Sequence, residues 1–186
     1  LLQQGRVPIK YGPFDDPSEV VNLMESQSIQ SMVGSPVQVL ELARRWKKGV
    51  RGPKSVLLST DYVPHSIVRV LESTWGCKVF NHYGTTEMGL GGGVECEAHA
   101  GYHLREADLL FEIVDPQSGQ PMTEGEYGEV VFTTLTRAGM PLLRYRTGDK
   151  SCFLPGNCPC GSIIPRMECI SGRFDNVLKI GGRNIP

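Results

Sequence analysis

Three short segments concentrate the residue types that hold a phosphorylated ligand. The first is Tyr83-Gly84-Thr85-Thr86-Glu87. Its aromatic face can stack on a purine, and Gly84 admits close backbone approach. The hydroxyls of Thr85 and Thr86 can meet phosphate oxygens, while Glu87 offers a hard oxygen to Mg²⁺. The second segment is Tyr145-Arg146-Thr147-Gly148-Asp149, where an aspartate held on a loop can accept both hydroxyls of a ribose. The third runs from Gly172-Arg173-Phe174-Asp175 into Asn176 to Arg183. Taken singly, each also reads as ordinary structure: a polar turn, an aspartate capping a turn beside Arg146, and a surface loop before a strand.

A fourth group has the chemistry of a metal site. Cys158 and Cys160 flank Pro159, and thiols this close are poorly placed to bridge each other. In a cytosolic protein such spacing favours metal over disulfide. Two cysteines need two further ligands to close a zinc tetrahedron. Cys96 and His103 are the best candidates, because the turn from Ala98 to Tyr102 can fold them together. Cys152 or His99 can replace one of them, or the thiols can be reduced and unliganded. Cys77 and Cys169 lie in apolar runs and read as core thiols. His82 stands at the edge of the first segment, and His65 has no assigned chemistry.

These segments need a scaffold, and the sequence supplies an α/β one. Asp16 or Ser18 caps a helix with Pro17 in its first turn. A strand is expected within Ser28 to Val33, then a helix from Pro36 through Val37, Leu40, Leu42 and Trp46. Ser55 to Ser59 reads as a buried parallel strand, and Pro64 to Trp75 as a helix with Ile67, Val68, Val70 and Leu71 inward. Gly76 ends that helix and Cys77 to Asn81 forms the next strand, which completes a βαβ unit. The Tyr83 segment therefore follows the carboxyl end of a parallel strand, where open α/β sheets bind ligands. A glycine-rich loop, Met88 to Gly93, comes next. Beyond His103 the pattern changes to strands at Leu109 to Val114 and Glu129 to Thr133, a β-rich subdomain. The organisation expected is residues 1–104 as the parallel βαβ sheet portion, 105–172 as the smaller β-rich part, and 173–186 as a hinge opening a lid.

The chain has 186 residues, 40% apolar and 21% charged, the balance of a globular domain. Its 19 basic residues against 20 acidic ones leave a formal charge of −1, which argues against a nucleic-acid or membrane partner. Basic residues gather only at Arg44 to Lys48, read as the polar end of a helix. No apolar run reaches the ~18 residues of a membrane span. Leu1 to Gly5 carries no secretory signature, and a cytoplasmic location is expected. With no initial methionine, and with Gly181 to Pro186 falling mid-motif, the reading expects an internal piece of a longer protein.

In this order and spacing, the three segments resemble the adenylate-forming superfamily. Tyr83 to Glu87 matches its YGxTE motif, Tyr145 to Asp149 its Y-R-TGD motif, and Gly172 to Asp175 its GRxD hinge. Gly91 to Cys96 followed by Gly101-Tyr102-His103, and Cys158 to Gly161 ahead of Pro165-Arg166-Met167, resemble the phenylacetate–CoA ligase branch. Thr85-Thr86 departs from the Leu-Ser that branch members often carry.

The resemblance implies an N-terminal domain portion of an enzyme that joins a carboxylic acid to ATP, giving acyl-AMP, and then to CoA. It implies that Tyr83 stacks on adenine, with Ser59, Thr60 and Asp61 lining the same pocket. Gly84 and Thr85 would border the nucleotide, Thr86 would touch the α-phosphate, and Glu87 would hold Mg²⁺. Asp149 would bind the ribose, Arg173 would contact the ribose or phosphate, and Asp175 would be the hinge. Gly89 to Gly93 would floor the acid pocket. Cys96, His103, Cys158 and Cys160 would be the zinc ligands. The family's phosphate-gripping loop and lid lysine are not in this sequence, and Lys179 is not that lysine. This chain alone is therefore expected to be inactive. Two other readings stay open at this point: an adenylating enzyme with a non-CoA acceptor, and a zinc-stapled binding module without catalysis.

Overall fold

The structure is a computed structural model that describes residues 16–47, 49–174, 178–180 and 183–185. Helix α1, Pro17–Ser26, starts where Asp16 accepts a hydrogen bond from the Ser18 N–H at 2.8 Å. That bond satisfies a donor which the first turn cannot pair internally. Strand β1 (Ser31–Gly34), helix α2 (Pro36–Arg44), β2 (Ser55–Leu58), α3 (His65–Trp75) and β3 (Lys78–Tyr83) follow. β1 pairs parallel with β2, and β2 parallel with β3, as the βαβ pattern predicts. Gly76 closes α3 in the left-handed conformation at φ 62°, which glycine adopts without a Cβ clash.

One core lies between the helices and these strands. Val20, Val21 and Met24 of α1, Val39 and Leu42 of α2, and Ile67, Leu71 and Trp75 of α3 meet Val56, Leu58 and Val79. Burying each large aliphatic side chain here contributes ~1.5–3 kcal/mol. The helix faces differ in part from expectation. Val37 and Val70 point outward, 66% and 38% exposed, while Val39 and Trp75 point in. Buried positions in α3 are spaced four apart, so Ile67, Leu71 and Trp75 stack on one side.

After β3 the first sheet turns antiparallel. A single 3₁₀ turn, Thr86–Met88, leads to β4 (Gly93–Glu95) and β5 (Tyr102–Leu104). Strands β6 (Leu109–Val114), β7 (Gly128–Thr134) and β8 (Tyr145–Ser151) build most of a second sheet. The next strands, β9 (Phe153–Leu154) and β10 (Arg166–Met167), return to the first sheet. It runs β1-β2-β3-β4-β5-β10-β9. Two short strands from the segment expected to be the β-rich subdomain thus belong to the α/β sheet. The second sheet, β11-β8-β7-β6, includes β11 (Gly172–Arg173); β12 (Leu178–Ile180) and β13 (Arg183–Ile185) pair with each other. A second core joins the sheets through Tyr83, Met88, Tyr102, Leu104, Phe111, Ile113, Phe132 and Met167.

Asp149 does not sit on a loop. It lies inside β8, which pairs antiparallel with β7 around an irregularity between Glu129 and Val131. Thr147, Asp149 and Ser151 face inward while Arg146 and Lys150 face out. The inward positions are polar, so the two-residue alternation carries no hydrophobic signal. Gly172 and Arg173 likewise form a strand against Lys150 and Asp149. Among the described residues no helix is long and apolar enough to cross a membrane.

Candidate nucleotide and acid cleft

An open cleft of about 560 Å³ lies where the two sheets meet. The first segment enters it from the end of β3: Gly84, Thr85, Thr86 and Glu87 all line it. Ser59 and Thr60, from the end of β2, line it beside His82 of β3. Tyr145, Thr147 and Arg173 come from the second sheet, and Gly89 and Gly91 from the glycine loop. Thr60 has φ 75°, a region that a β-branched residue enters at a cost of ~1–3 kcal/mol. Such strain marks a loop whose shape is fixed by its surroundings.

Glu87 is held in place by its backbone. Arg137 donates from Nη1 to the Glu87 carbonyl at 2.7 Å, and Arg105 from Nη2 to the Met88 carbonyl at 2.9 Å. The Glu87 carboxyl is held below the usual range, first by its own backbone N–H and then by the Thr85 hydroxyl, with Tyr145 adding in the same direction. It is therefore a carboxylate at neutral pH, the form that ligates a hard cation.

Behind the cleft wall, Tyr83 donates from its hydroxyl to Asp149 Oδ2 at 2.9 Å, and Arg173 Nη1 donates to Asp149 Oδ1 at 2.8 Å. The Arg173 guanidinium also bonds the Thr147 carbonyl at 2.8 Å. Asp149 is only 5% exposed. Its backbone N–H donates to Thr147 Oγ1, which in turn donates to the Val130 carbonyl. Glu129, buried in β7, accepts from the Gly148 N–H at 3.0 Å and pairs with Arg146. Tyr83 itself does not line the cleft. Its ring packs on Tyr102 at 5.8 Å between centroids, and burial pushes its phenol well above the ordinary value.

The three expected segments thus converge. Ser59, Thr60, Gly84, Thr85, Thr86, Glu87 and Arg173 share one cleft, and Tyr83 and Asp149 back it. Asp61 is exposed outside the lining and bonds the Tyr62 N–H. The expected hinge, Asp175, lies outside the described residues. Sequence reasoning missed Arg105, Arg137 and Glu129 as supports. Isolated charges far apart in sequence give no local signal of what carbonyl they meet. Tyr145 was visible inside its motif without an assigned role.

A separate cluster gathers Cys96, His103, Cys158 and Cys160, whose ligand atoms all lie within 4.8 Å of one another. Cys96 Sγ is 3.6 Å from Cys158 Sγ, and Cys160 Sγ is 3.5 Å from His103 Nε2. Zinc bonds of ~2.3 Å to sulfur and ~2.0–2.1 Å to nitrogen, at tetrahedral angles, place such pairs ~3.8 and ~3.6 Å apart. The donor set fits the ion. The Cys158 thiol is lowered to about 6, first by the Cys160 backbone N–H. The two rival ligands are engaged elsewhere: His99 stacks on Phe80 and faces Glu95, and Cys152 is buried.

The two sheets, the cleft between them and the order of segments around it are like those of a portion of an adenylate-forming domain. Crystal structures carry the same fold. A 2-hydroxyisobutyryl-CoA ligase bound to 2-HIB-AMP and CoA matches 96% of this chain and 41% of its own, with a TM-score of 0.79 at 24% identity. A benzoate CoA ligase from Burkholderia xenovorans matches 88% of this chain and 35% of its own at TM-score 0.63 and 18% identity.

In sequence the chain is phenylacetate–CoA ligase-like. It is 39% identical over 161 residues to the phenylacetate-coenzyme A ligase of Thermus thermophilus, covering 81% of this chain and 36% of that one. It is 41% identical over 117 residues to the Escherichia coli enzyme of that name, covering 62% and 26%. The chain therefore spans about a third of the length of the curated relatives it matches. No protein-family model matches it.

Proposed function

We propose that this chain forms the nucleotide- and acid-binding part of an AMP-forming acid–CoA ligase acting on an aryl or related carboxylic acid. The observation that carries the reading is the shared cleft. Thr85, Thr86, Glu87 and Arg173 line one space, with the Tyr83–Asp149–Arg173 chain directly behind. In this reading Thr86 contacts the α-phosphate and Glu87 holds Mg²⁺. Asp149 receives the ribose after exchanging its partners, and Arg173 neutralises phosphate charge. Tyr83 shapes the adenine side from beneath, and Asp175 serves as the hinge. Mg²⁺ supplies charge stabilisation as the acid's carboxylate displaces pyrophosphate. CoA then takes the acyl group in the second step. Such a reaction, using ATP and CoA, fits a cytoplasmic enzyme.

Cys96, His103, Cys158 and Cys160 would hold a structural zinc, since four protein ligands leave no open position. It would tie the end of β4 and β5 to the β9–β10 connection. The test is ATP–pyrophosphate exchange by the full-length protein over a panel of aryl and alkyl acids, alongside elemental analysis. Acid-dependent exchange and one zinc per chain are expected. Absence of exchange with every acid refutes the ligase reading, and a metal-free folded protein refutes the zinc.

A further inference from the structure

Arg166 is a buried cation that no step of the ligase reading uses. It is the first residue of β10 and is 7% exposed. A charge this deep is costly unless hydrogen bonds or an opposite charge compensate it. Among the described residues its guanidinium meets backbone carbonyls and no carboxylate. Nη1 donates to the Ala100 carbonyl at 2.7 Å. Nη2 lies 3.4, 3.3 and 3.3 Å from the carbonyls of Pro155, Gly156 and Asn157.

Those carbonyls belong to two separate loops. Ala100 lies in the turn between Cys96 and His103, and Asn157 immediately precedes Cys158. One guanidinium therefore spans both loops that carry the cysteine–histidine cluster, and each loop contributes two of its four ligands. The strand register leads to the same place. Arg166 stands opposite His103 of β5 and Leu154 of β9, and residues directly opposite on antiparallel strands share a face. The turn also packs tightly on β10: a Cβ at Gly101 would stand 2.5 Å from the Met167 carbonyl oxygen. β9 and β10 span Phe153–Leu154 and Arg166–Met167, too short for ladder bonds alone to fix the connection between them. A zinc ion with three thiolates and a neutral imidazole carries one net negative charge. Arginine, protonated at any ordinary pH, brings the matching charge to the same loops.

We propose that Arg166 is the positioning residue of the metal site: it holds both ligand loops by their carbonyls and so sets the affinity for zinc. The proposal rests on the zinc reading above and goes beyond the four ligands to the group that gathers them. A cation that merely held the fold would contribute equally with and without the ion. One that gathers the ligands acts on the metal-free state, whose loops spread when it is removed and must be ordered again as zinc binds.

The experiment compares wild type, Arg166→Met and Arg166→Lys in the full-length protein. Zinc affinity is read by competition with a chromophoric chelator, and thermal midpoints are taken for the zinc-loaded and metal-stripped forms. Arg166→Met is expected to weaken zinc binding ~10–100-fold, the range for groups that support metal ligands from outside. Arg166→Lys keeps the charge but lacks the planar fork that reaches two loops, and is expected to fall between. The stabilisation that zinc gives should shrink in the same order, because ligand binding and stability are linked. If Arg166→Met does not fold, the lysine variant decides by the same measure. Unchanged zinc affinity in a folded variant overturns the proposal and leaves the zinc reading intact. So do equal losses of stability in the loaded and stripped forms. A folded wild-type protein that binds no zinc refutes the zinc reading, and the proposal with it.

Discussion

Removing one oxygen atom from Tyr83 tests how the two sheets are joined behind the cleft. Tyr83→Phe keeps the ring against Tyr102 but deletes the hydroxyl that donates to Asp149 Oδ2 at 2.9 Å. Asp149 is 5% exposed and keeps only Arg173 on its other oxygen. A hydrogen bond to a charged group contributes ~1.5–3 kcal/mol, and the abandoned carboxylate oxygen has little water to turn to. The variant should lose that much stability at neutral pH. For a chain of this size the midpoint falls by about 3–12 °C. The pH dependence gives a sharper signature. Burial, followed by the neighbouring Asp149 charge, raises the Tyr83 phenol above its unfolded value of ~10. The native state therefore holds its proton where the unfolded chain has released one. Tyr83 thus contributes fully below pH ~10, and the contribution falls by up to ~1.4 kcal/mol per pH unit above it. Phenylalanine has no proton to lose, so the gap between wild type and variant should narrow as pH rises past ~10. The Tyr102 phenol is also raised, but it is common to both proteins and cancels in the difference. Thermal unfolding followed by circular dichroism from pH 7 to 11 measures the gap. A constant gap, or none at pH 7, refutes the buried Tyr83–Asp149 link.

Three further outcomes follow from the geometry. Gly91→Ala should destabilise the chain by at least ~1–3 kcal/mol in denaturant titrations, because its Cβ would meet the His82 ring at 2.0 Å and its φ is 95°. Arg137→Ala frees the Glu87 carbonyl from its 2.7 Å bond; in the full-length enzyme it should raise the Mg²⁺ concentration needed for half-maximal pyrophosphate exchange, and Arg137→Lys should recover part of it. Stripping metal with a chelator, or substituting Cys158→Ala, should release one zinc and lower the thermal midpoint, read by elemental analysis and calorimetry, since closed structural sites contribute directly to folding.

What the sequence makes legible here depends on the range of the interaction. Asp16 before Pro17, and Gly76 after Trp75, act within one turn, and both helix ends are where local chemistry puts them. Parallel β2 and β3 are apolar enough to be read directly. β8 is hidden because Thr147, Asp149 and Ser151 fill its inward positions. No hydrophobic period remains to betray a strand whose inner face serves polar contacts. The return of Phe153–Leu154 and Arg166–Met167 to the first sheet is hidden for a different reason: two-residue strands carry no pattern at all. The gathering of Cys96, His103, Cys158 and Cys160 is the exception among long-range contacts, because few other side chains share their chemistry.

The arginines show the same limit from the side of the site. Arg105, Arg137 and Arg173 all end on backbone carbonyls of Met88, Glu87 and Thr147, and a carbonyl is identical at every position in a sequence. Side-chain chemistry therefore announces which residues can meet a nucleotide, while the groups that fix their positions stay silent until the chain is folded. The Glu87 turn illustrates the consequence. It is too short to hold itself, so two guanidiniums, one following the first sheet's β5 and one beyond β7 of the second, grip consecutive carbonyls on either side of the cleft's bend. A displacement between the sheets must therefore be felt at Glu87 directly, and the geometry of its carboxylate is a property of both sheets together.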